Sequence, residues 1–197
     1  MIKVILFDAD GVLINGEMFT HVFASEFGVS TDLMLPFFEG PFRDCIVGNA
    51  DLKEVVAPHL AEWGWNKGVD AFLKYWFKAE HRIDQELVDY IQTIRKQGIR
   101  CFIATNQEKH RSQYMLDNMG FAESFDDLFA SAHFGHRKPS MEFYEKVMNG
   151  LGAVKKEEVL FWDDTPKNVE AAREFGIHAE IYTSFTDFKE KMAGYQF

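Results

Sequence analysis

The chain has 197 residues, 47% hydrophobic and 26% charged, which excludes a disordered, collagen-like or fibrous protein and allows a sizeable core. Lys and Arg number 21 against 31 Asp and Glu, so the net charge of −10 repels a polyanion such as DNA, and no basic run offers a local exception. Two cysteines, Cys45 and Cys101, are too few for a disulfide framework and fit a reduced, cytoplasmic setting.

The first element is the apolar run Lys3 to Phe7, which reads as a strand buried on both faces and ends in Asp8-Ala9-Asp10-Gly11. It is too short for a signal-peptide core, and no apolar run approaches the roughly 20 residues of a membrane span. From about Glu17 to Glu80 there is no convincing strand. Helices are expected at Glu17–Phe27, Asp51–Trp63 and Val69–Ala79, punctuated by Gly28, Pro36, Gly40-Pro41, Gly48 and Gly64. This stretch is dense in aromatic residues, as a small subdomain with a thin core requires.

The alternation then resumes. A helix over Gln85–Gln97 carries Leu87, Ile91 and Ile94 at helical spacing and stops at Gly98. A strand over Arg100–Ala104 ends in Thr105-Asn106, and a helix follows over Ser112–Asn118. Leu128–Ala130 is a weaker strand, Met141–Met148 a helix, and Val159–Trp162 a strand ended by Asp163-Asp164. A helix over Val169–Phe175 stops at Gly176, and Ala179–Tyr182 is the last strand signal. Strands alternating with helices imply an α/β fold with a parallel sheet covered on both faces. The expected division is a core of residues 1–15 and 81–197 and a helical insertion of residues 16–80.

Each strong strand ends in groups that chemistry can use: Asp8 and Asp10, then Thr105 and Asn106, then Asp163 and Asp164. In an open parallel sheet, ligands bind outside the carboxyl ends of the strands. Four carboxylates therefore converge from distant parts of the chain, and crowded like charges call for a cation. Hard carboxylate oxygens favour Mg²⁺, which commonly bridges to a phosphate. Lys138, in Arg137-Lys138-Pro139, is the candidate to balance a bound anion. Taken singly, each piece has a plainer reading: Asp-x-Asp-Gly is a common turn, Thr105-Asn106 and Asp163-Asp164 are good helix caps, and most lysines are solvated.

Taken in order, the pieces resemble the haloacid dehalogenase-like (HAD) hydrolase superfamily. Phe7-Asp8-Ala9-Asp10-Gly11-Val12-Leu13 is similar to its first motif and Ile103-Ala104-Thr105-Asn106 to its second. Lys138-Pro139 with Tyr144 is similar to the third, and Leu160-Phe161-Trp162-Asp163-Asp164 with Ala171-Ala172 to the fourth. The insertion resembles the helical cap of the subgroup that includes phosphoglycolate phosphatase-like enzymes, β-phosphoglucomutase and 2-haloacid dehalogenases. The Asp-Asp form of the fourth motif is closest to a branch with sugar-phosphate phosphatases and the N-terminal domain of soluble epoxide hydrolase. Three positions depart from the common pattern: Asn15-Gly16 after the first motif, Met141 in place of a second proline, and Asn168 near a further Asp. They bear on the flap and the substrate range.

The resemblance implies a Rossmann-like core and a Mg²⁺-dependent phosphatase of a small phosphorylated metabolite, a sugar phosphate being one option. Asp8 would be the nucleophile and Asp10 the general acid and base. Asp8, the Asp10 carbonyl and Asp164 would hold Mg²⁺, with Asp163 as a further ligand or an outer partner. Thr105, Asn106 and Lys138 would bind the phosphate. Competing readings are a phosphomutase, a dehalogenase (disfavoured by Asp10) and a non-catalytic binding module on the same fold. A monomer or weak homodimer is expected, with no nucleic-acid or membrane partner. The seven histidines show no metal-ligand spacing, and His21 and Arg43 are expected to be solvated rather than to touch substrate.

Overall fold

The computed structural model describes all 197 residues. Five parallel strands form one sheet: β1 (Val4–Phe7), β2 (Arg100–Thr105), β3 (Asp127–Ala130), β4 (Val159–Asp163) and β5 (His178–Ile181), in the order β3-β2-β1-β4-β5. The central β1 is buried on both faces, as its unbroken Val-Ile-Leu-Phe run requires. Phe7 pairs with Ile103 on one side and Trp162 on the other, so the carboxyl ends of β1, β2 and β4 lie level.

Alternation along the strands splits the core in two. Ile5, Phe7, Cys101, Ile103 and Trp162 face one cluster, with Leu87 and Ile91 of α6 (Gln85–Arg95), Met115 of α7 (Lys109–Asn118) and Phe188 of α12 (Phe185–Met192). Val4, Leu6, Phe102 and Phe161 face the other, with Phe143 and Val147 of α10 (Met141–Leu151) and Val169 and Ala172 of α11 (Pro166–Phe175). The short α8 (Phe121–Ser124) and α9 (Ser131–Phe134) flank β3.

Between β1 and α6 the chain is helical: α1 (Phe19–Phe27), α2 (Thr31–Glu39), α3 (Phe42–Ile46), α4 (Leu52–Val56) and α5 (Val69–Ala79). These helices share a third cluster, rich in Phe and Trp. The two connections to the sheet run side by side, with Asn15 N donating to Arg82 O and Asp84 N to Leu13 O, both at 2.9 Å. The insertion also rests on the core. Ser131 Oγ donates to Ile46 O at 2.5 Å. Gly48, at φ 73°, lies so close to the Ala132 carbonyl that a Cβ would collide with it.

Three expectations need correction. Pro36 does not stop a helix but sits inside α2, where burial of Met34 and Phe37 outweighs the lost backbone bond. The helix expected over Asp51–Trp63 ends at Val56 and passes into a 3₁₀ turn over Ala57–His59, because Pro58 cannot continue the ladder. A final helix, α12, follows the last strand. Its signal is present in the sequence: Ser184 caps it by accepting from Asp187 N at 3.2 Å, and Phe188 and Met192 follow four residues apart on the buried face.

Candidate active site

The carboxyl edge of the sheet opens into a cleft of about 490 Å³ lined by Asp8, Asp10, Thr105, Asn106, Asp164 and Asn168, among others. Asp8 follows β1 directly. Its Oδ1 accepts from Ala9 N at 2.7 Å and from Lys138 Nζ at 2.8 Å, which leaves Oδ2 for chemistry. Burial pushes the Asp8 carboxyl up to about 7, helped by the Asp163 charge and opposed by Lys138.

Lys138 and Asp163 lie beneath Asp8 rather than on the cleft wall, and both side chains are fully buried. Lys138 Nζ donates to Asp163 Oδ2 at 2.6 Å as well as to Asp8. Burial alone would lower the Lys138 ammonium, but the two carboxylates outweigh it and hold it above its ordinary value. Asp163 is saturated: Oδ1 also accepts from Thr165 N at 2.8 Å, and the Asn168 amide reaches both oxygens at 3.0 and 3.1 Å. Asn168 thus stands as a neutral donor to Asp163, and Tyr144 Oη fixes the Asn168 carbonyl at 2.7 Å. Two of the three Lys138 ammonium donors are thus directed at the carboxylates of Asp8 and Asp163.

The Asn106 side chain holds this lysine in place from the β2 end. Its Nδ2 donates to Lys138 O at 3.0 Å and its Oδ1 accepts from Lys138 N at 2.8 Å. Thr105 is buried at the end of β2 and lines the cleft, with its hydroxyl unused by other side chains.

Asp164 is exposed at the cleft mouth, and the neighbouring Asp163 charge adds to partial burial in raising its carboxyl. Oxygens of Asp8, Asp163 and Asp164 all lie within 4.8 Å of one another. Gly11, at φ 81°, makes this closeness possible, since any Cβ there would run into the Asp164 carboxylate. The Asp10 carbonyl accepts no backbone hydrogen bond. Hard oxygen donors from two strands, one of them an unpaired backbone carbonyl, fit a small divalent cation.

Asp10 has partners that the sequence did not disclose. Arg111, on α7, grips it with both terminal nitrogens, Nη1 to Oδ2 and Nη2 to Oδ1, each at 2.7 Å. Gln107 Nε2 adds a third bond at 3.1 Å. Burial in the cleft would raise the Asp10 carboxyl, but Arg111 and Gln107 together hold it below its ordinary value. The remaining face of the guanidinium, Nε, meets Glu80 Oε2 at 3.1 Å. Glu80 Oε1 in turn accepts from Phe19 N, the first residue of α1, at 3.2 Å. One arginine therefore ties Asp10 to both ends of the helical insertion.

Comparison with known proteins follows the same lines. The sequence model of the haloacid dehalogenase-like hydrolases matches residues 2–176. The pyrophosphatase PpaX of Halalkalibacterium halodurans is 26% identical over 191 residues, covering 91% of this chain and 83% of that protein. The sesquiterpene phosphatase astK of Aspergillus oryzae is 31% identical over 96 residues, about half of each chain (49% and 48%). Among solved structures, a HAD family enzyme of Bacteroides thetaiotaomicron in complex with magnesium and inorganic phosphate shares the fold at a TM-score of 0.81. It is 20% identical, with 97% of this chain and 99% of that one covered.

Proposed function

Because the chain belongs to the haloacid dehalogenase-like hydrolase family, we propose that it is a Mg²⁺-dependent phosphatase of a small phosphorylated metabolite, working through an aspartyl-phosphate on Asp8. The observation that carries this reading is the meeting of Asp8, Asp163 and Asp164 over a buried lysine, with a separately held carboxylate, Asp10, beside them.

Asp8, Asp164 and the Asp10 carbonyl would hold Mg²⁺, and Asp163, with both oxygens already engaged, supports the site from beneath. When bound, the ion neutralises phosphoryl oxygen charge and eases the approach of one anion to another. Asp8 Oδ2 attacks phosphorus and the bond to the leaving oxygen breaks. Asp10, once protonated, gives its proton to that oxygen. Thr105 Oγ1 and the Asn106 N–H hold the phosphoryl oxygens at the end of β2. Water then attacks the same phosphorus while ionised Asp10 takes its proton, which releases phosphate and restores Asp8. The Arg111 grip favours the ionised form that this second step requires. Lys138 stays charged throughout and favours the ionised form of Asp8 against the burial that opposes it.

The test is turnover of p-nitrophenyl phosphate. EDTA should abolish it, Mg²⁺ should restore it, and Ca²⁺, which accepts longer and more numerous ligands, should not. Activity that survives EDTA, or equal rates with both ions, contradicts the reading.

A further inference from the structure

A second cavity, of about 240 Å³, adjoins the cleft on the side of the helical insertion. Asp10, Met18, Glu80 and Asn106 line both spaces. Asp10 thus stands at the boundary, where a general acid must stand if the phosphoryl group lies on one side and the leaving group on the other. The cavity's chemistry is then the chemistry of the leaving group.

That chemistry is apolar. Leu35, Phe38, Phe42, Ile46 and Trp76 of the insertion form the wall opposite Asp10. Met18 and Leu35, 64% and 40% exposed, are two of the few large apolar side chains left open to solvent, and both lie here. Most of the polar groups are already in use. Arg111 is the cavity's sole cation, and its guanidinium is spent on Asp10 and Glu80. Gln107 is occupied by Asp10 and the Glu108 N–H, and Asn106 by the Lys138 backbone. Only the Thr20 hydroxyl and the Trp76 indole N–H are without a partner, enough for a single polar atom of a ligand. A second phosphate would find no free positive charge. A sugar would bury several hydroxyls against Phe and Trp, and each unpaired one costs roughly 1–3 kcal/mol.

We infer that the substrate's leaving group is a compact, uncharged and largely apolar alcohol, bearing one aromatic ring or a short branched hydrocarbon chain, seated in this cavity. The volume lies below the roughly 300–1,000 Å³ of drug-sized sites, which limits its size. The inference rests on the phosphatase reading above and narrows its substrate.

The experiment compares kcat/KM of the Mg²⁺-loaded full chain for 2-phenylethyl phosphate, glucose 6-phosphate, inorganic pyrophosphate and acetyl phosphate. The first two are both esters of primary alcohols, so they make the same demand on Asp10 and differ in what enters the cavity. The phenylethyl ester should lead glucose 6-phosphate by roughly 10-fold or more, the scale of apolar-pocket discrimination. An equal or better sugar phosphate, or pyrophosphate as the best substrate, overturns the inference while leaving the phosphatase reading intact. No turnover of any of the four, acetyl phosphate included, sinks the phosphatase reading and this inference with it. Leu35→Asp then locates the group: KM for 2-phenylethyl phosphate should rise roughly 10-fold relative to that for acetyl phosphate. Equal changes for both place the leaving group elsewhere.

Discussion

The helical insertion and the carboxyl edge of the sheet are both tightly buried, but by opposite means. The insertion is filled with rings: Phe19 stacks on Trp76 at 4.9 Å, Phe23 on Phe27 at 4.4 Å, and Phe72 meets both Phe19 and Phe23 edge-on. Its ion pair Lys53–Asp70 stays outside in solvent. The sheet edge instead buries Lys138 and Asp163 completely and Asp8 almost so. Apolar packing needs only volume and shape, so many sequences can satisfy it. Buried charges need exact partners, because an unpaired one costs several kcal/mol. The two regions should therefore respond to substitution in different ways.

The largest effect belongs to Asp8→Asn. The amide keeps the shape but is a poor nucleophile, so turnover of p-nitrophenyl phosphate should fall roughly 10⁴–10⁶-fold, the scale seen when an enzyme loses its nucleophile. Wild-type-like activity would remove Asp8 from the mechanism and reduce the sheet edge to a merely structural charge cluster.

A matched pair of substitutions tests the comparison directly. Lys138→Met leaves Asp8 and Asp163 unpaired in a buried site, and Phe72→Ala opens a void in the aromatic cluster. Each should lower stability by roughly 3–5 kcal/mol in thermal or urea melts. Their effects on catalysis should diverge. The folded Phe72→Ala enzyme should keep kcat near wild type, since Phe72 lines neither the cleft nor the adjoining cavity. Lys138→Met should lose most of its kcat. Equal losses of kcat would mean that the two regions are not energetically separate.

The same contrast explains what the sequence disclosed. Asp8, Asp10, Thr105, Asn106, Lys138, Asp163 and Asp164 stood out because carboxylates and a lysine next to apolar strands demand an explanation, and the structure brings all seven to one edge. The strands were legible as runs of Val, Ile, Leu and Phe. The insertion was read only in outline: α2 and α3 escaped, since Pro36 and Gly40-Pro41 look like breaks, and Phe and Trp fit several helix patterns equally well. Arg111 and Glu80 escaped for another reason. Their meaning lies in long-range pairings, Arg111 with Asp10 across 101 positions of chain and Glu80 with Arg111, and an arginine on the otherwise polar α7 reads as solvated. Glu108, which caps α7 by accepting from the His110 and Arg111 N–H groups, was the local clue to where that helix begins.

The raised Asp8 carboxyl gives a further test, in stability rather than rate. Its value of about 7 in the folded protein lies above the ordinary 3.8, so over that interval the folded state holds a proton that the unfolded chain has released. This contribution is fully present below the unfolded value and is lost as the pH rises through about 7. Asn at the same position does not titrate. In EDTA, the melting temperature of Asp8→Asn minus that of the wild type should therefore grow between about pH 4 and pH 7 and level off above it. The upper limit is about 4 kcal/mol, from three pH units at 1.36 kcal/mol each. Saturating Mg²⁺ should shrink or reverse the difference, because the charged carboxylate holds the ion more tightly than the neutral amide. A difference independent of pH would show that the Lys138 pairing already keeps Asp8 ionised.

The smallest expected effect probes the contact where the two regions meet. Arg111 reaches Asp10 with two nitrogens and Glu80, at the end of the insertion, with the third. Lysine supplies a charge but a single point of contact, so it cannot span both Asp10 oxygens and Glu80 at once. Arg111→Lys should keep the fold and the metal site while letting the Asp10 carboxylate wander. The loss should appear in kcat, by roughly 10-fold, with KM nearly unchanged, since the arginine does not hold the phosphoryl group. It should also depend on the leaving group. 2-Phenylethyl phosphate needs a proton on a basic alkoxide, whereas acetyl phosphate expels a weakly basic carboxylate, so the alkyl ester should suffer more. Arg111→Ala should repeat the pattern with a larger loss and a lower melting temperature, because Glu80 and Asp10 are then left facing each other. If Arg111 only bolts the insertion to the core, Arg111→Lys will slow both substrates by the same factor. The link between Asp10 and the insertion is then architectural, and the general acid is positioned by Gln107 alone.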